Sequence, residues 1–212
     1  MEGLAQGVLD EWYAKGKLVG GIGSDPLERI VAHARNYRAV IRELAGDGEL
    51  SLLDLGSGVG IPGLLLALDS PLWRVTLLDS MSRRSKVAEE FVPKLGLGAR
   101  VEVINGRAEE LLPKHAGDFE VVVARCFGPP PLLAELSVGF LRPGGILVVS
   151  EPPNSEEVRN ARWPIGGLRQ LGYGKARFFD GDFHFVGIRR EKATPAKIRA
   201  YARMIKSPAW KV

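Results

Sequence analysis

The stretch Asp54-Leu55-Gly56-Ser57-Gly58-Val59-Gly60-Ile61-Pro62-Gly63 constrains the fold more than any other. The apolar run Leu50-Ser51-Leu52-Leu53 leads into it, and Leu64-Leu65-Leu66-Ala67-Leu68 leads out. A run of strand length, a glycine-rich turn and a helix-like run make one βα unit. Glycine has no Cβ and accepts φ > 0, so the backbone of such a turn can come close to a ligand. Pro62 suits the first turn of the following helix, where its missing N–H costs little. Free N–H groups at that helix start favour an electron-rich ligand. The element implies a site for a nucleotide-type cofactor.

Signals of strand and helix alternate on either side of this turn. Strands are predicted over residues 50–55, 74–78, 100–105, 120–124 and 146–150, with helical segments near 62–68, 83–95, 109–112 and 131–141. Alternation of this kind predicts a parallel sheet covered by helices on both faces, with ligands beyond the carboxyl ends of its strands. Before the turn, Leu4, Val8 and Trp12 have helical spacing, then residues 16–23 are glycine-rich. Ser24-Asp25-Pro26 reads as a second helix start, and an apolar stripe runs from Leu27 to Leu44. These two helices are expected beside the sheet or over the site. After it, strand-like segments 175–179 and 183–189 flank Asp180-Gly181-Asp182, a hairpin signal. A parallel sheet that ends in an antiparallel hairpin is a class I methyltransferase pattern rather than a dehydrogenase one. The expected fold is therefore α/β: a Rossmann-like, mostly parallel seven-stranded sheet with an antiparallel C-terminal hairpin and two N-terminal helices. One domain over residues 1–212 is expected, with a helical extension at 1–49 and a basic tail at 190–212.

Charge divides unevenly along the chain. Eight of the 29 basic residues and one of the 25 acidic ones lie between Arg189 and Val212, so the rest carries 21 against 24. A basic tail on a mildly acidic body suggests a polyanion partner; a solvated terminus is the competing reading. No apolar run reaches the roughly 18 residues that a membrane span needs. The first residues lack the basic-then-apolar pattern of a signal peptide, so a cytoplasmic location is expected. The single cysteine, Cys126, excludes an intrachain disulfide and a cysteine-cluster metal site, and no metal is expected.

Gly58-Val59-Gly60-Ile61-Pro62-Gly63 fits the dinucleotide fingerprint G-x-G-x-x-G, so NAD and FAD must be weighed. Asp54 ahead of the first glycine gives Asp-x-Gly-x-Gly-x-Gly, which resembles the first methyltransferase motif. Asp79 ends the strand 74–78, where a carboxylate can accept both ribose hydroxyls. Together with the closing hairpin, these features favour S-adenosylmethionine. Gly106-Arg107-Ala108-Glu109-Glu110 follows the third strand, where the adenine ring is expected. Ala124-Arg125-Cys126-Phe127 follows the fourth, where the methyl acceptor is expected. Arginine is seldom buried without a partner, which makes Arg125 a candidate functional residue; a structural salt bridge is the competing reading.

Four stretches resemble one family, the glucose-inhibited division protein B group, which methylates guanine N7 of bacterial small-subunit ribosomal RNA. They are residues 54–63, Leu77-Leu78-Asp79-Ser80 with Arg83-Arg84, residues 106–110, and Ala124-Arg125; the tail Thr194-Pro195-Ala196-Lys197 is similar too. The resemblance runs from about Gly21 onward. It implies S-adenosylmethionine as cofactor and ribosomal RNA as partner, with no DNA or membrane. Asp54, Gly56, Gly58, Gly60, Ile61, Asp79, Ala108, Glu109 and Arg125 would bind the cofactor. Arg125 and, near it, Arg107 would be the catalytic residues, between cofactor and acceptor. Guanine N7 has a lone pair and no proton to lose, so such a site needs alignment rather than a base. Arginines suit phosphate or the guanine O6 edge.

Two positions depart from the family. Glu151 stands where members have a lysine after the fifth strand, and Asn36-Tyr37 after His33 replaces an Asp-Ser pair. Glu151 would reverse a charge where an RNA phosphate is expected. A different acceptor, such as a small molecule, and a catalytically inactive cofactor-binding paralogue therefore stay open, as divergent forms. Cys126 could be a nucleophile or a small apolar filler at a strand end. Trp210 could stack on a base or anchor the tail. His33, His115 and His184 have no metal-ligand spacing.

Overall fold

The computed structural model describes residues 2–192 and 201–211, with side chains for 6–192 and 203–211. Thr194-Pro195-Ala196-Lys197 and Arg199 of the basic tail lie outside the described residues. The chain opens with α1 (Glu2–Leu18) and α2 (Leu27–Ala45), followed by β1 (Leu50–Leu55), α3 (Gly63–Asp69), β2 (Trp73–Asp79) and α4 (Ser82–Lys94). Next come β3 (Val101–Asn105), α5 (Ala108–Leu111), β4 (Phe119–Ala124), α6 (Pro130–Phe140) and β5 (Leu141–Glu151). Then follow α7 (Glu156–Arg162), α8 (Ile165–Gln170), β6 (Arg177–Phe179), β7 (His184–Arg189) and α9 (Tyr201–Lys206).

Seven strands form one sheet in the order β3-β2-β1-β4-β5-β7-β6. The first five are parallel, and β7 runs antiparallel to both β5 and β6. Strand order reverses between β1 and β4, which places the switch point beside the glycine turn. The predicted architecture, hairpin included, is the one observed.

The central strands read as continuous apolar runs because both of their faces are covered. Leu52, Val121, Val123, Ile146 and Val148 enter the layer formed with α1 to α4. Their neighbours Leu53, Leu55, Val122, Leu147 and Val149 enter the opposite layer with α6, α8 and Trp210. Each fully buried leucine contributes roughly 1.5–3 kcal/mol of transfer free energy, so the sheet centre is the most strongly held part of the chain.

Two local expectations fail for definable reasons. Strand β5 begins at Leu141 rather than at 146, and its register to β4 jumps from Phe119↔Leu141 to Val121↔Ile146. Arg142-Pro143-Gly144-Gly145 bridges that jump, and its composition masks the strand. Helices α7 and α8 were not expected. The first buries none of its residues and so has no apolar stripe; the second has six residues, two of them glycine.

Candidate active site

The carboxyl ends of β1 and β2 are tied together by the glycine turn. Gly56 and Ser57 N–H both donate to Leu78 C=O, at 2.8 and 3.1 Å. Gly56 has φ 78°, and a Cβ on it would lie 2.6 Å from the Phe127 ring, so both conformation and space require glycine. Gly60, at φ 102°, is equally confined, since its Cβ would meet Leu64 at 2.9 Å.

Asp54 and Asp79 brace the turn from opposite sides. Asp54 is fully buried, and its Oδ2 accepts the Gly63 N–H at 2.7 Å while Oδ1 has no partner. Burial pushes its carboxyl up to about 7. This corrects one expectation: the first N–H of α3 is taken by Asp54 and is not free for a ligand. Asp54 and Gly60 are buried and line neither cleft described below. Asp79 does face a cleft. Its Oδ2 accepts from Gly58 N–H at 2.8 Å and its Oδ1 from Met81 N–H at 2.7 Å. A carboxylate has about four acceptor sites, so Asp79 keeps capacity for two hydroxyl donors.

Two clefts open at this end of the sheet. One, of about 260 Å³, is lined by Gly56, Asp79, Met81, Arg107, Ala108, Glu109 and Phe127. The other, of about 240 Å³, is lined by Gly21, Asp25, Gly58, Ile61 and Arg125. Gly56, Arg84 and Cys126 line both, so the clefts meet there. The first suits a nucleoside, with a carboxylate for a diol, a small buried Ala108 and the apolar Phe127. Arg107 belongs to it, pairing with Glu109 at 3.5 Å, and not to the cleft of Arg125. The two arginines thus line different clefts and follow different strands, β3 and β4, with β2 and β1 between them.

The second cleft owes its outer wall to the N-terminal helices, which pack over the site. Trp12 of α1 donates its indole N–H to Val59 C=O at 2.8 Å. Arg83 and Arg84 of α4 donate to Val19 and Gly20 C=O, each at 2.7 Å. A Cβ on Gly21 would lie 2.4 Å from Val59, which is why this segment approaches the turn so closely. Across the opening, Arg125 Nη2 lies 3.4 Å from Asp25 Oδ2, and Asp25 Oδ1 lies 3.5 Å from Arg29 Nε. The structural salt bridge for Arg125 is therefore present, inside the cleft. Asp25 precedes α2 without capping it, since Pro26 is the N-cap and no side chain caps it. Its partner in the cleft lies one hundred residues away, beyond any local signal.

Cys126 is exposed at φ 55°, so it is not a buried filler. Its turn sends Arg125 to one cleft and Phe127 to the other. Tyr37 is buried, donates its hydroxyl to Ala124 C=O at 2.6 Å and accepts Ser150 N–H at 2.9 Å. It thus joins the ends of β4 and β5, a role that sequence inspection missed. His33 packs among Tyr37, Phe183 and Phe185; burial, aided by Arg125, pushes its imidazole down to about 4.

Glu151 does not present a charge to an anion. Its nearly buried carboxylate receives Arg162 Nε at 2.7 Å and Nη2 at 3.2 Å. The expected charge reversal is cancelled inside the protein. Trp210 is an anchor, donating to Arg162 C=O at 2.9 Å beside Trp163. Arg189 and Arg190 of the basic tail are also structural: the first bonds Gly144 and Leu44 C=O, the second Leu141 C=O. Among the described residues no group of acidic, histidine and cysteine side chains could hold a metal, and no helix is long and apolar enough to cross a membrane.

Comparison with known proteins places this geometry. The family model GidB, rRNA small subunit methyltransferase G, matches residues 8–162. The ribosomal RNA small subunit methyltransferase G of Deinococcus radiodurans is 37% identical over 163 residues, which is 71% of this chain and 62% of the relative. Its counterpart in Mycobacterium leprae is 40% identical over 167 residues, 78% of this chain and 67% of the relative. The chain spans about three fifths of the length of the Deinococcus relative it matches. Among solved structures, an O-methyltransferase from Bacillus cereus in complex with SAH aligns with TM-score 0.65 at 16% identity, over 87% of this chain and 91% of that one. A putative O-methyltransferase from Klebsiella pneumoniae aligns with TM-score 0.61 at 17% identity, over 87% and 90%. At such identities these two carry the fold alone, which is the class I methyltransferase fold.

Proposed function

The chain belongs to the GidB family of small-subunit ribosomal RNA methyltransferases, and on that premise we propose that it methylates guanine N7 in this RNA, using S-adenosylmethionine. The observation that carries the reading is the meeting of two clefts at Gly56: a nucleoside-sized one with Asp79 and a second one with Arg125. The whole chain acts as one methyltransferase domain, and a cytoplasmic location follows from its substrate.

S-adenosylmethionine, when bound, supplies a methyl group already activated on a sulfonium. Asp79 holds the ribose hydroxyls with its remaining lone pairs. Ala108 and Glu109 face the adenine, with Arg107 at the edge of the same cleft. Gly56, Gly58 and Ile61 let the methionyl portion lie close to the turn. Arg125 donates to guanine O6, which fixes the base with N7 toward the turn. No side chain has to take a proton, because N7 carries none. In-line alignment is the main contribution of the site. Glu151, neutralised by Arg162, gives no reason to prefer a small-molecule acceptor.

Nucleoside mass spectrometry of small-subunit rRNA from cells with and without the gene tests this. A 7-methylguanosine present only with the gene is expected; identical profiles would overturn the RNA assignment.

A further inference from the structure

The cleft between the glycine turn and the N-terminal wall is lined by two donor-only side chains, Arg84 and Arg125, and one acceptor-only side chain, Asp25; Arg84 is engaged by Gly20 C=O. Arg125 Nη2 and Asp25 Oδ2 lie 3.4 Å apart, with side chains 26% and 44% exposed. A committed arginine–carboxylate contact is shorter, about 2.7–2.9 Å. The second contact of Asp25, to Arg29, is also long at 3.5 Å, and its carboxylate caps no helix. The carboxylate therefore retains acceptor capacity at the cleft surface.

Resting on the methyl-transfer reading above, we infer that Asp25 is a specificity-determining residue that reads the Watson–Crick edge of the acceptor guanine. Passing along the base from N7, guanine offers the O6 acceptor and then the N1–H and N2–H donors. Adenine offers the N6–H donors and then the N1 acceptor. Arg125 is the deeper of the pair and follows β4 directly, next to the glycine turn of β1; Asp25 lies on the outer wall. A donor near N7 and an acceptor beyond it match guanine. Adenine would set donor against donor at Arg125 and acceptor against acceptor at Asp25.

The test uses the full chain loaded with S-adenosylhomocysteine, titrated by NMR with 5′-guanylate and 5′-adenylate. Wild type is expected to prefer guanylate by about tenfold or more, within the range of one good bidentate base contact. Asp25→Ala should bring the two affinities within about twofold, while its affinity for S-adenosylhomocysteine stays within about twofold of wild type. Asp25→Asn, which keeps an acceptor but no charge, should reduce the preference at least threefold. It carries the test if the alanine variant fails to fold. Preference retained in the variants, or a wild type that methylates guanine in RNA yet shows no preference, overturns the Asp25 assignment alone. A wild type that transfers no methyl group to RNA overturns the function reading and this inference together.

Discussion

At the scale of the residue, the site depends on polar groups removed from water. Tyr37 satisfies a carbonyl at the end of β4 and an amide at the end of β5 with one hydroxyl. Tyr37→Phe keeps the ring and strands both groups, each at a cost of about 1–3 kcal/mol. A loss of about 2–4 kcal/mol in urea denaturation is expected; a loss under about 0.5 kcal/mol would mean that the bridge carries nothing. Asp54 and His33 pull the pH dependence in opposite directions. The Asp54 carboxyl is raised to about 7 by burial, so the folded chain holds a proton that the unfolded chain has released, from the ordinary carboxylate value up to about 7. Its contribution to stability is therefore lost as pH rises through 7. His33 is lowered to about 4, so its contribution is lost as pH falls from its ordinary value through 4. In the absence of cofactor, the advantage of Asp54→Asn over wild type should grow as pH rises from 5 to 8, by the equivalent of roughly 2–4 kcal/mol. An equal difference at both pH values would contradict this account of Asp54.

At the scale of the element, the N-terminal helices act as one wall of the site. Hydrogen bonds from Trp12 to Val59, Arg83 to Val19 and Arg84 to Gly20 hold that wall to the turn and to α4, beside the ion pairs Lys15–Glu90 and Lys94–Glu11. A hydrogen bond from a charged donor is worth about 1.5–3 kcal/mol. Arg84→Ala should therefore speed amide exchange over residues 16–23 by about tenfold to a hundredfold and leave β4 protected as in wild type. A uniform acceleration across the sheet, or none, would sink the latch. The sheet was legible because each central strand is an apolar run, and the turn because glycine spacing reports its backbone. Packing of α1 and α2 over the site was legible only as one of two options, since an apolar stripe does not name its partner. Helix α7, with no buried residue, left no pattern at all. Glu151 shows the same limit at the site: the residue suggested a repelled phosphate, while Arg162, on another element, pairs with its carboxylate.

At the scale of the whole molecule, part of the positive charge behind the net +4 is committed within the fold. Arg189 and Arg190 bind main-chain carbonyls, and Arg162 is held by Glu151. Arg84, Arg107 and Arg125 line the clefts, and on the proposed reading they meet RNA entering from the sheet's carboxyl end. On the proposed reading the two clefts that meet at the glycine turn hold methyl donor and acceptor, and the acceptor is guanine N7 of ribosomal RNA. The direct measurement incubates purified protein with methyl-labelled S-adenosylmethionine and a small-subunit rRNA transcript, then digests the RNA and separates its nucleosides. The account predicts label in 7-methylguanosine, with transfer that weakens steeply as salt is raised. Label in another nucleoside, or none from a protein that binds S-adenosylmethionine, would contradict it.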